Sequence, residues 1–100
     1  MRRIVKSFRD IAILAILEER GGLNGYEIME CIYEKLEIPL SSGTLYSTLY
    51  ALEREELIKG VPRSRSRTYT LTLKGKAKLE QVTEIVAAFK LFMSRLCGKK

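Results

Sequence analysis

The chain has 100 residues, 46% of them hydrophobic, and a formal net charge of +6. It is long enough for one small domain with a buried core, which excludes a disordered electrostatic tail, and its longest apolar run, Ile11 to Leu17, is far short of the roughly 20 residues of a membrane span. With no histidine, and only Cys31 and Cys97 far apart, a zinc centre, a disulfide framework and His-based hydrolytic chemistry are excluded, so the expectation is a cytoplasmic protein with no cofactor, no metal, no catalytic residues and no membrane partner.

A first helix is predicted from Phe8 to about Arg20, with Ser7 as its cap, Asp10 completing a capping-box-like pair and Gly21-Gly22 as the stop. Its centre is apolar on every side, as in a helix enclosed by neighbours. Asn24 caps a second helix with Glu27 at the third position inside it. Tyr26, Met29, Ile32 or Tyr33, and Leu36 form its predicted apolar stripe, Glu27, Glu30, Glu34 and Glu37 face outward, and Pro39 ends it. Ser41 or Ser42 caps a third helix running from about Gly43 to Glu56, with Leu45, Leu49 and Leu52 as a narrow buried stripe. Opposite that stripe lie Thr44, Ser47, Tyr50, Ala51 and Arg54, a small polar face without the Glu–Lys pairs that dress a solvated helix.

From Leu57 the period becomes two. Leu57 to Val61 reads as a strand, Pro62 to Ser66 as a turn, and Arg67 to Leu73 as a second strand with Thr68, Thr70 and Thr72 on one face and Tyr69, Leu71 and Leu73 on the other. This is a two-stranded hairpin with a basic tip. Thr72 caps a fourth helix reaching about Leu96 or Cys97, along which Leu79, Val82, Val86, Phe89, Met93 and Leu96 recur at coiled-coil spacing, widened by Ile85, Ala88 and Phe92. At about 1.5 Å per residue that helix is longer than a core of this size needs, so a second copy is expected to cover it. The division is 1–73 as one unit and 74–100 as a dimerisation helix.

Charge is segregated along the chain: the balance is +3 over residues 1–17, −6 over 18–56 and +9 over 57–100. Three helices followed by a basic hairpin is the order of a winged helix-turn-helix, mainly α with one β-hairpin. A helix with small polar side chains fits the major groove of a duplex, about 12 Å wide. Its N-terminus, with Ser42, offers free N–H groups to a phosphate. Arg63, Arg65, Arg67 and Lys59 would lie along the backbone while Thr44, Ser47, Tyr50 and Arg54 read the groove. A second copy joined through Leu79, Val82, Ile85, Val86, Phe89, Phe92, Met93 and Leu96 would set two such helices on successive turns of a pseudo-palindromic operator.

The runs Leu14-Ala-Ile-Leu-Glu-Glu, Leu23-Asn-Gly-Tyr-Glu-Ile, Leu40-Ser-Ser-Gly-Thr-Leu-Tyr46, Leu52-Glu-Arg-Glu-Glu-Leu-Ile58 and Arg67-Thr-Tyr-Thr-Leu-Thr-Leu-Lys-Gly75 resemble the PadR family of transcriptional regulators, over residues 8 to 80 or so. The resemblance implies a homodimeric winged-helix repressor with a dimerising C-terminal helix, often responsive to small molecules, in which Thr44, Tyr46 and their polar neighbours touch DNA. This chain has Asn24 where the family often has His and Ser47 where it often has Pro. It also lacks the Trp that some relatives use in a drug-binding dimer pore.

Plainer readings stand beside these. Arg63, Arg65 and Arg67 would also suit a solvated loop; Tyr46 and Tyr50 packing; Arg54 an ion pair with Glu53 or Glu55; the long helix a place on the chain's own first helix; and Cys31 the role of a small buried hydrophobe. The leading function is a dimeric, sequence-specific regulator of double-stranded DNA, a repressor by promoter occlusion. The alternative is a winged-helix protein-interaction module whose acidic middle binds a basic partner. A third reading is a sensor holding a small-molecule effector between Phe89, Phe92 and the first helix.

Overall fold

The computed structural model describes residues 8–37 and 39–97, so the expected cap at Ser7 lies outside the described residues. In chain order the elements are α1 (Phe8–Arg20), β1 (Leu23–Asn24), α2 (Gly25–Leu36), α3 (Ser42–Arg54), β2 (Ile58–Arg63), β3 (Ser66–Leu71) and α4 (Leu73–Cys97). The four predicted helices and the hairpin are present, with shifted ends at α3 and along the hairpin. The sheet, however, has three antiparallel strands in the order β1-β3-β2, because Leu23 and Asn24 pair with Tyr69 and Thr68. A strand of two residues is too short for any alternation to appear in the sequence.

One core joins all of these elements. Ile13, Leu14 and Leu17 of α1, Ile28 and Ile32 of α2, and Leu45, Leu49 and Leu52 of α3 close around Leu57, Ile58 and Tyr69 of the sheet region. The buried face of α2 differs from the predicted stripe. Ile28, Cys31 and Ile32 turn inward at helical spacing, while Tyr26 and Tyr33 are both 60% exposed. Aliphatic side chains fill the interior at no polar cost, whereas each tyrosine would bring a hydroxyl in need of a partner.

The helix ends follow local chemistry. Asn24 and Glu27 close a full capping box, with Oδ1 of Asn24 accepting the Glu27 N–H at 2.8 Å and Oε1 of Glu27 accepting the Asn24 N–H at 2.9 Å. Ser41, of the two candidate serines, caps α3, its Oγ accepting the Thr44 N–H at 3.1 Å. That helix ends earlier than predicted, at Arg54, because Glu56 turns left-handed (φ 66°) and the Leu57 N–H bonds back to the Leu52 carbonyl at 3.0 Å. The hairpin is tighter than predicted: Arg63 pairs with Ser66, and Ser64, at φ 49°, and Arg65 alone make the turn.

Thr72 caps α4 by accepting the Gly75 N–H at 2.9 Å, and its own hydroxyl donates to the α3–β2 junction at the Glu56 carbonyl, 2.7 Å away. Leu73 therefore begins the helix, 86% exposed, and leaves the strand face expected for it. A Lys76–Glu18 ion pair at 3.1 Å ties the start of α4 to α1, and Leu79 packs against the core. Beyond Val82 the helix leaves the body. The radius of gyration, 15.3 Å, exceeds the roughly 13 Å of a compact domain of this length, and the long axis reaches 55 Å.

Candidate nucleic-acid interface

The third helix and the hairpin present their polar residues side by side. Along α3, Ser42 lies exposed in the first turn, Ser47, Tyr50 and Arg54 follow on the exposed side, and Thr44 is half-buried, its hydroxyl accepting a bond from Ser41 at 3.0 Å. Thr48, on the flank, is buried and holds α3 to α1 by accepting from Nε of Arg9 at 3.4 Å while donating to the Thr44 carbonyl at 2.9 Å. The face is thus a hydroxyl-lined surface with its aliphatic side locked into the core.

Tyr46 combines both readings of its role. It is 47% exposed, yet its ring lies so close over Gly25 that a Cβ there would collide with it. Tyr50 and Arg54 pair with each other, the guanidinium lying 5.6 Å from the ring centroid. Of the two carboxylates considered as alternative partners for Arg54, Glu53 is engaged by Arg67, whose Nη2 lies 2.6 Å from Oε2 of Glu53.

Alternation along the hairpin sorts its basic residues. Lys59 and Arg63 lie on one face with Val61, opposite Thr70, Ser66 and Thr68. Arg67 lies on the other face with Tyr69 and Leu71 and points back toward α3. Among the described residues, Lys59, Arg63 and Arg65 meet no carboxylate. Between α3 and the hairpin runs a cleft of about 490 Å³ lined by Tyr46, Tyr50, Glu53, Arg54, Arg67 and Tyr69. It continues past Tyr46 into a second hollow of about 540 Å³ that reaches the hairpin tip at Ser64 and Arg65 and the α2 start at Asn24 and Tyr26. Burial of Tyr69 raises its hydroxyl above the usual tyrosine range, while the Arg67 charge beside it pulls the other way.

Sequence reasoning missed Glu53 and Tyr26 as residues of this surface. Glu53 follows Leu49 by four positions, on the flank of the buried stripe, and Arg67 shares the strand face of Tyr69 by its parity; together these signals place the two on facing surfaces. The residues expected along the α4 seam divide. Leu79 and Val82 are partly buried, whereas Ile85, Val86, Phe89, Phe92, Met93 and Leu96 are exposed, as is Leu91 on the flank. Phe89 and Phe92, expected to enclose a pocket with α1, are more than half exposed in the single chain. Cys31 is buried, with Arg20 Nη1 at 3.3 Å from its sulfur, and the side chain of Cys97 lies outside the described residues.

Three helices, a small antiparallel sheet and a basic hairpin flanking the third helix define a winged-helix protein. F93 from STIV, a winged-helix DNA-binding protein, has the same fold, with a TM-score of 0.71 at 22% identity over 95% of this chain and 100% of its own. A PadR family transcription regulator from Clostridium difficile aligns with a TM-score of 0.81 at 32% identity, covering 92% of this chain and 100% of that one. A transcriptional regulator from Clostridium thermocellum gives 0.75 at 28% identity over 95% and 100%. The model of the transcriptional regulator PadR-like family matches residues 13–81, and the chain belongs to that family. A comparison with curated proteins found no match.

Proposed function

We propose that this PadR-like regulator binds a specific double-stranded operator as a homodimer and represses by occluding a promoter. The observation that carries the reading is the hydroxyl-lined face of α3 beside a hairpin whose Arg63, Arg65 and Lys59 have no carboxylate partner among the described residues. In this reading Ser47, Tyr50 and Arg54, with Thr44 at the rim, enter the major groove. Ser42 and the α3 N-terminus meet a phosphate, Tyr46 touches the backbone from its seat over Gly25, and the hairpin follows the adjacent backbone. Residues 1–73 form the DNA-binding unit. Residues 74–100 form the dimerisation helix, its exposed apolar residues covered by a second copy, and an effector would enter where that copy closes over Phe89 and Phe92. The winged-helix DNA-binding neighbour and the family membership support the reading.

Replacing Arg63 and Arg65 together by Ala removes two cations from the tip. Binding to all duplexes should weaken, and the slope of log K against log salt should become shallower by roughly two. A salt series by fluorescence anisotropy reads this directly, and an unchanged slope would remove the hairpin from the interface.

A further inference from the structure

One arginine of the hairpin does not share the situation of its neighbours. Nη2 of Arg67 donates to Oε2 of Glu53 at 2.6 Å and to the Gly60 carbonyl at 3.0 Å, and the same Glu53 oxygen accepts the Gly60 N–H at 3.3 Å. The bond to Glu53 and then the carboxylate's charge hold the guanidinium above its usual range. Three elements therefore meet at one carboxylate: α3 through Glu53, β2 through Gly60 and β3 through Arg67. Gly60 leaves room for the meeting: a Cβ there would stand 2.8 Å from Nη2 of Arg67 and 3.0 Å from Oε2 of Glu53, so the two side-chain ends would have to shift.

We infer that Glu53 is a positioning residue for DNA recognition: it pins the hairpin to the third helix and withholds Arg67 from the phosphates. The inference rests on the DNA-binding reading above. Two consequences follow for a duplex seated across α3 and the hairpin. The distance from the groove-facing side chains to the Arg63–Arg65 tip is fixed by an internal bond, so the backbone contact favours one register. The charge of Arg67 is offset by a carboxylate of its own chain at the surface, so it adds little to sequence-independent attraction. Glu53 thereby favours discrimination between sequences over raw affinity.

The test uses the full chain with Glu53→Gln, which keeps the side chain's shape and its acceptor for Gly60 but removes the charge. With a random-sequence duplex and a selected operator, the variant should bind the random duplex several-fold more tightly. Its salt slope should steepen by about 0.9, the value for one added phosphate contact, and its operator-to-random ratio should fall, with little change in Tm. Arg67→Ala alone should leave the wild-type slope unaltered, and in the Glu53→Gln background it should abolish the added slope. Gly60→Ala, which drives a methyl group into the pair without altering any charge, should move binding in the same direction as Glu53→Gln. A wild type with a steep salt slope that Glu53→Gln leaves unchanged, or an Arg67→Ala variant whose slope drops by about one, would overturn the positioning role alone. A wild type with no salt-dependent duplex binding would overturn the DNA-binding reading and this inference together.

Discussion

Gly25 shows how a single missing methyl group shapes the candidate interface beside α3. It is buried in the first turn of α2, and the hydroxyl and ring of Tyr46 occupy the space a Cβ would need. Gly25→Ala should therefore push Tyr46 aside and cost about 1–3 kcal/mol, as overpacking does, at roughly 4–8 °C of Tm per kcal/mol in a domain of this size. Thermal unfolding followed by circular dichroism measures this, and adding Tyr46→Leu should restore part of the loss because the two changes share one contact. An unchanged Tm would mean that Tyr46 swings clear and serves only the outer surface. The two competing roles for this tyrosine in the sequence were both legible because it borders the buried stripe of α3. Its seat over Gly25 was not, since that contact joins residues of separate helices. Arg67 was half legible: strand parity places it beside Tyr69, but a run of three arginines reads as one basic tip unless each is assigned to a face.

Element ends were written most plainly in the sequence wherever a side chain must satisfy a backbone group. Asn24 with Glu27, Ser41 and Thr72 each fix a helix start, as their residue types indicate. The end of α3 had no such signal. Glu56 occupies a left-handed position (φ 66°) that glycine usually fills, while its N–H bonds to the Glu53 carbonyl at 2.9 Å. A glutamate there extended the apparent helix to residue 56. It also leaves an opening for stabilisation, because an L-residue in this conformation costs roughly 1–2 kcal/mol, which exceeds the entropy that glycine loses on folding. Glu56→Gly should raise stability by about 0.5–1 kcal/mol in a urea titration. Glu55→Gly, on ordinary right-handed backbone (φ −83°), should lower it. Equal effects at the two positions would contradict the left-handed assignment.

For the whole molecule the decisive feature is the outer half of α4. Leu79 packs on the chain's own core and Val82 is half-buried, but from Ile85 onward the apolar residues face solvent along a helix that carries the body out to 55 Å. A row containing Val86, Phe89, Met93 and Leu96 at 3–4-residue spacing is suited to a second helix, and an unpaired row of this size is a liability in water. The seam was legible as a coiled-coil pattern; its division into an inner part that folds the monomer and an outer part that stays open was not, because the spacing runs through both without a break. The division allows a clean test. Val86→Glu with Phe89→Glu places two charges on side chains already 48% and 59% exposed in the single chain, so each chain should keep its fold and its near-native circular dichroism. Sedimentation should then change from the mass of two chains to that of one. Binding to an operator with two half-sites should weaken on the order of a hundredfold or more, because the second hairpin and helix are no longer tethered to the first, while binding to an isolated half-site should stay close to that of the wild type. If the variant unfolds, the outer seam belongs to the monomer's core. If it remains two chains in mass, another surface joins the copies, and the spacing of the two α3 helices on DNA must be set there.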